Sequence, residues 1–104
     1  MRKAKVYVKG SEAGTLTEII QGKEYLFEYL NGYSGPDVSR TMPITQGVYR
    51  FDRFPSFFDG LLPEGIQLDG LLKLKKIDKY DYFSQLISVG SDMVGAVTVL
   101  EITE

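Results

Sequence analysis

The chain has 104 residues, of which 43% are hydrophobic and 25% charged, and this composition predicts one globular domain, residues 1–104, with a single core. The 12 basic and 14 acidic residues give a formal charge of -2, which argues against nonspecific binding of nucleic acid or of an anionic membrane. The absence of Cys and His excludes disulfides and thiolate chemistry and removes the commonest general base. We therefore expect no enzyme, no cofactor and no metal site, and, because no apolar run could span a bilayer, a cytoplasmic protein.

The first thirty residues predict three antiparallel strands. Apolar and polar side chains alternate over residues 4–9, which is the period of a half-buried strand. Residues 10–14 offer a turn, and residues 15–20 are β-branched enough to return antiparallel. Residues 24–30 place three aromatic side chains on one face and predict the third strand, with two helical turns as the alternative.

The stretch from residue 54 to residue 65 is the most unusual part of the chain. It contains three Phe, two Leu, two Pro and two Gly in twelve residues, after a short strand predicted over residues 48–51. Asp52 is a candidate N-cap, Pro55 suits the start of a helix, and Gly60 stops it after a turn or two. The stretch therefore predicts a short aromatic helix with a rigid end, which either anchors a core or presents an edge to another molecule.

Two further helices and a strand are predicted after this stretch. Residues 66–76 form an amphipathic pattern, and Asp78 is the predicted N-cap of a third helix that ends at Gly90. A turn over residues 91–95 leads to a strand at 96–102, which is apolar on both faces and is therefore expected to be central. The whole pattern predicts an α+β fold, with a small antiparallel sheet of the N-terminal meander and the C-terminal strand packed with three short helices. The predicted buried stripe of the second helix comprises Leu68, Leu71, Leu72 and Lys75.

Polar clusters in the chain favour structural interpretations. Four carboxylates follow one another in sequence but match no metal-binding loop, so caps and solvated positions account for them better. A run of lysines over residues 73–79 fits the C-terminal end of a helix, with contact to an acidic partner as the alternative. The carboxylates are Asp52, Asp59, Glu64 and Asp69.

Three motifs together resemble the N-terminal subdomain of the HipA family of toxin kinases. They are FFDGLLPEG at residues 57–65, DYFSQLISVGSD at residues 81–92 and VGAV at residues 94–97, and the three early strands and the TMPI segment at residues 41–44 agree in order. In that family the subdomain precedes a Ser/Thr kinase core that carries the ATP-binding and catalytic residues. This sequence contains no Gly-rich kinase loop and no catalytic Asp or Asn motif.

A free-standing copy of this subdomain is similar to HipS, the small antitoxin of tripartite HipB-HipS-HipT toxin-antitoxin systems. The resemblance implies a bacterial antitoxin that binds and neutralises a HipT-like Ser/Thr kinase in trans by direct contact. A HipB-like DNA-binding repressor would be the third member of a ternary complex, without direct contact between this chain and nucleic acid or membrane. The alternatives are an excised N-terminal subdomain of a full-length HipA-like kinase, without activity of its own, and an autonomous ligand or nucleic-acid binder.

The resemblance also divides the aromatic stretch into two roles. One group of residues is expected to anchor the domain, and the turn that follows is expected to meet the kinase and to enter or cover its active-site cleft. The expected anchors are Phe54, Phe57, Phe58 and Leu61, and the expected partner-binding residues are Leu62, Pro63, Glu64, Gly65 and Ile66.

Overall fold

The fold is built on a five-stranded antiparallel sheet, in a computed structural model that describes residues 1–92 and 95–102. The strand order across the sheet is β4-β3-β2-β1-β5. Within the described residues, three helices and a 3-10 turn accompany the sheet, which confirms the predicted α+β class. The strands are β1 (Arg2–Val8), β2 (Ser11–Ile20), β3 (Glu24–Tyr29), β4 (Val48–Phe51) and β5 (Val97–Ile102); the helices are α1 (Ser56–Asp59), α2 (Gly65–Lys75) and α3 (Tyr82–Val89), followed by the 3-10 turn Gly90–Asp92.

The core lies on one face of the sheet, under α1 and α3. Because successive side chains of a strand point to opposite faces, alternate residues of β1 and β3 reach the same side. Phe58 of α1 and Phe83 and Leu86 of α3 are buried in the same cluster. The strand residues of this cluster include Ala4, Val6, Val8, Leu16, Tyr25, Phe27 and Val99.

The first hairpin turn is shorter than predicted. Lys9 and Gly10 have φ values of 50° and 82°, so these two residues alone reverse the chain, as a two-residue hairpin loop requires. The prediction of a turn over residues 10–14 was therefore wrong, and β2 begins at Ser11. Gly14 lies inside this strand, where an added Cβ would come within 2.3 Å of the carbonyl oxygen of Glu28.

The C-terminal strand lies at an edge and not in the centre of the sheet. Among the described strands, β5 pairs with β1 alone. Lys9 N donates to Ala96 O at 2.7 Å, and the alternation of an antiparallel pair then directs the Val99 carbonyl away from β1. Gly90 lies against that carbonyl, where an added Cβ would be 2.1 Å from the oxygen. The segment after α3 thus covers part of this edge of the sheet.

Two predicted helix caps were wrong. The N-cap of α1 is Pro55, which makes no side-chain capping hydrogen bond, and Asp52 is exposed before the helix. The N-cap of α3 is Asp81, whose side chain accepts a hydrogen bond from Ser84 N at 3.2 Å. Asp78 instead accepts from Tyr80 N at 2.8 Å and so stabilises the turn before α3.

The predicted turn over residues 91–95 includes Met93 and Val94, which lie outside the described residues. In the part of the chain that the structure describes, no helix has the length and apolar content needed to cross a membrane.

We predict opposite effects of the same substitution at two glycines. Gly14→Ala should lower the free energy of unfolding by about 1–3 kcal/mol, because the new methyl group would collide with the β3 backbone. Gly70→Ala should raise it by about 0.5–1 kcal/mol in dilute protein, since Gly70 lies in α2 with open space around it. Urea unfolding of both variants measures the two changes, and equal effects would contradict the close packing of β2 on β3.

Candidate partner-binding surface

The aromatic residues around α1 attach this short helix to the sheet. Phe58 is fully buried, with its ring centroid 6.0 Å from that of Phe27 on β3. Phe54 is 8% exposed and makes an edge contact with Tyr25 at 5.4 Å between ring centroids. Of the other two expected anchors, Phe57 is half-buried and contacts Phe58 at 5.1 Å, and Leu61 is also half-buried. The structure therefore places Phe54 and Phe58 in the core and the other two at its margin.

The turn after α1 runs outward from this anchored helix. Leu61 N and Leu62 N donate to the carbonyls of Phe58 and Asp59 at 3.1 Å each, so the helical path continues for one more turn. Leu62 and Pro63 are half-buried, whereas Glu64 and Gly65 are exposed. Gly65 has φ 59°, in the left-handed region that favours glycine, and this conformation directs the chain into α2.

Ile66 is the most exposed large apolar side chain of the described residues, with 89% of its surface open to solvent. It stands directly after the turn, so four of the five expected contact residues lead up to it. The five residues therefore form a continuous segment whose exposure rises along the chain, from the half-buried Leu62 to the exposed Ile66.

Helix α2 packs less tightly on the domain than its sequence predicts. No residue of this helix, all of which the structure describes, is buried. The three leucines of its predicted stripe are only half-buried and the lysine of that stripe is exposed. Leu74, which lies outside the stripe, is 79% exposed. The turn and α2 together thus form an apolar part of the surface with little contact to the core.

A second group of polar side chains meets where β1, β2 and α3 come together. Arg2 Nη2 lies 2.6 Å from Glu18 Oε1 and 2.9 Å from Asp81 Oδ1, and Arg2 Nη1 donates to Ser84 Oγ at 2.7 Å. Glu18 is 4% exposed and also accepts from Tyr25 OH at 3.1 Å. Burial, together with the charge of Glu18, raises the pKa of Tyr25 to about 12.

This group lines a cavity of about 440 Å³, but its polar atoms are already paired. No buried side-chain nitrogen or oxygen of the described residues lacks a hydrogen-bond partner. Residues 1–92 and 95–102 also contain no group of three or more His, Cys, Asp or Glu side chains placed to hold a metal ion. The network therefore fits a structural role, in which Arg2 joins the N-terminal end of α3 to the sheet.

The network predicts an acid-dependent loss of stability. Burial opposes ionisation of Asp81, but hydrogen bonds from Arg2 and Ser84 and the charge of Arg2 outweigh it and lower the pKa of Asp81 below its usual 3.8. When folding lowers the pKa of a carboxyl group, the ionised group stabilises the fold at pH values above its pKa in the unfolded chain. This contribution is lost as the pH falls through the pKa of the group in the folded state. Asp81→Asn should therefore destabilise the protein at neutral pH, with a difference from wild type that begins to shrink as the pH falls below about 3.8 and disappears only below the lower pKa of Asp81 in the folded state.

Urea unfolding of wild type and Asp81→Asn across this pH range measures the effect. Asp52→Asn is the matched control, because the side chain of Asp52 is 95% exposed and should give no difference at any pH. A difference for Asp81→Asn that stays constant with pH would contradict the charge of Asp81 as its cause.

The two roles within the aromatic stretch predict different effects on stability. Phe58→Ala should lower the free energy of unfolding by about 3–5 kcal/mol, since it leaves a cavity beside Phe27. Ile66→Asp should change it by less than about 0.5 kcal/mol, because the side chain has almost no contact to lose. Thermal or urea unfolding distinguishes them, and a large loss for Ile66→Asp would show that the turn belongs to the core.

Comparisons with known proteins agree with this architecture. A family model described as the HipA N-terminal domain matches residues 4–100. A solved structure described as the N-terminal domain of HipA toxin has 30% sequence identity and a TM-score of 0.78, and the match covers 100% of this chain and 95% of that one. An uncharacterized protein of Haemophilus influenzae strain Rd is 33% identical over 101 residues, which are 97% of this chain and 93% of that protein. This chain belongs to the HipA N-terminal domain family.

Proposed function

We propose that this chain is an antitoxin that binds a HipT-like Ser/Thr kinase in trans and neutralises it by direct contact. The observation that carries the proposal is its membership of the HipA N-terminal domain family, whose model matches residues 4–100. The Haemophilus relative supports it, since 93% of that protein is covered and it contains little besides this domain. A toxin domain that exists as a separate protein would have to reach its kinase through an interface between chains.

The turn at residues 62–66 has the properties of such an interface. Ile66 is an exposed apolar side chain of the kind that anchors an interface when a partner buries it. Pro63 restricts the backbone just before Glu64, so less conformational entropy is lost when the turn is ordered by a partner. We propose that Ile66 enters or covers the active-site cleft of the kinase and blocks access of substrate or nucleotide.

The remaining residues of the turn have supporting roles in this proposal. Leu62 and Pro63 are half-buried, so they connect the contact to the anchored helix. Glu64 is exposed and would lie at the rim, where a charge affects association more than affinity. A HipB-like repressor would supply the DNA contact of a ternary complex, which agrees with the formal charge of -2 on this chain.

A second candidate is the N-terminal subdomain of a full-length HipA-like kinase, without activity of its own. The solved N-terminal domain of HipA toxin favours it, since the two chains cover each other almost completely. The gene distinguishes the two candidates: a stop codon after Glu104 and a separate kinase frame nearby support the antitoxin, and one continuous frame supports the subdomain.

We predict that Ile66→Asp abolishes neutralisation while the protein stays folded. A charged side chain at this position could not be buried against an apolar site on the kinase. The kinase is co-expressed with wild type or with the variant, and growth and co-purification are measured. Ile20→Asp is the matched control, because Ile20 is also exposed, at 51%, but lies at the end of β2.

Three outcomes separate the possibilities. Rescue by wild type and by Ile20→Asp but not by Ile66→Asp supports the proposed contact. Full rescue by folded Ile66→Asp would overturn the role of the turn but not the antitoxin function. A wild-type chain that neither co-purifies with the kinase nor restores growth would overturn the antitoxin function itself.

A further inference from the structure

The outer face of α2 is apolar at both ends and open in the middle. We define this face by Ile66, Asp69, Gly70, Lys73 and Leu74, which recur at the three- and four-residue spacing of one side of a helix. Ile66 and Leu74 are 89% and 79% exposed, and Gly70 lies between them, one turn from each. An added Cβ at Gly70 would meet no atom of residues 1–92 or 95–102 within 4 Å. The face therefore has two apolar ridges with a notch between them.

The glycine in this notch is costly for the isolated helix. A glycine inside a helix is less stable than alanine by about 1 kcal/mol, and none of the described residues approaches Gly70 closely enough to require it. A missing side chain at a helix surface allows another backbone to come close. The notch thus fits contact with a second helix from outside the domain.

The charges beside the notch are arranged for a particular second helix. Asp69 and Lys73 are both exposed and lie on the same flank of the outer face, with the acid toward the N-terminal end and the base toward the C-terminal end. Neither side chain makes an ion pair with another residue in the described ranges 1–92 and 95–102. A second helix that places a basic residue beside Asp69 and an acidic residue beside Lys73 would pair with both. A second copy of α2 has this order of charges when it runs antiparallel to the first.

We propose that the outer face of α2 docks on the outer face of α2 in a second copy of this chain, antiparallel about a two-fold axis that lies between the levels of Gly70 and Leu71, so that Asp69 of one copy is nearer to Lys73 than to Asp69 of the other. In this arrangement the two Gly70 backbones meet, and Ile66 of each copy packs beside Leu74 of the other. Asp69 of each copy lies beside Lys73 of the other, on the same flank, so two ion pairs form. The contact is isologous, as in most homodimers, and the helix dipoles oppose one another.

The charges select this arrangement over a parallel one. Parallel helices in the same register would place Asp69 beside Asp69 and Lys73 beside Lys73, and like charges at this spacing repel. One helix on each side buries less than the roughly 1,200 Å² of a standard stable interface, so the dimer is weak and depends on concentration. Because Ile66 also belongs to the turn at residues 62–66, a self-docked copy and a kinase would compete for it.

Two opposite charge reversals test the proposal on the full chain. Asp69→Lys places two lysines on the flank and Lys73→Asp places two acids there, so each variant repels its own copies but attracts the other variant. Each alone should weaken dimerisation by about tenfold or more, through loss of two exposed ion pairs and the added repulsion. An equimolar mixture of the two should regain the affinity of wild type, as measured by sedimentation velocity over a wide range of concentration.

Matched controls separate this contact from a general effect of net charge. Asp52→Lys and Lys23→Asp make the same charge changes at exposed positions outside α2 and should leave dimerisation unchanged. Circular dichroism checks that all variants remain folded. A wild-type chain that stays monomeric up to millimolar concentration would overturn the proposal, as would a mixture that dimerises no better than its components. Neither result would bear on binding of the kinase, which is measured separately by co-purification.

Discussion

The packing of Phe58 on Phe27 is the contact on which the outer part of the molecule depends. Helix α1 has four residues, far fewer than an isolated helix needs in water, so its position is determined by what it buries. Phe58 supplies that burial, and Phe54 adds a contact with Tyr25 just before the helix. The turn and α2 follow directly and contain no buried residue of their own. Their orientation relative to the sheet therefore begins at this aromatic contact.

An ionic contact positions the other side of the helical layer. Arg2 binds Glu18 on β2 and Asp81 at the start of α3, and its guanidinium also lies over the ring of Phe83. A buried carboxylate such as Glu18 is costly unless it is paired, so this contact determines the position of α3 more than it adds net stability. Aromatic packing thus holds α1, and a charge network holds the N-terminal end of α3.

The strands were predictable where the pattern of side chains was local. Alternation alone identified β1 and β3, because each residue's face follows from its neighbours in sequence. The edge position of β5 was not predictable in this way, since its cover comes from Gly90 and the pattern of one strand does not show which element lies beside it. The N-cap of α3 was not predictable for a similar reason. Asp78 and Asp81 are both suitable caps by sequence, but it is Asp81 that pairs with the distant Arg2.

The orientation of helix α2 on the domain was likewise not predictable from the pattern of its side chains. The sequence of α2 has leucines on a predicted inner stripe and apolar residues outside it, and periodicity cannot tell which side meets the domain. The structure leaves Ile66 and Leu74 outside, at positions where they contribute almost nothing to folding. Substitutions of Ile66 or Leu74 should change association with a partner and leave the free energy of unfolding intact. Substitutions of Phe58 should change both, because they disturb the fold that positions the surface. Since the two groups are only a few residues apart in sequence, stability must be measured for each variant before a loss of binding is assigned to the surface.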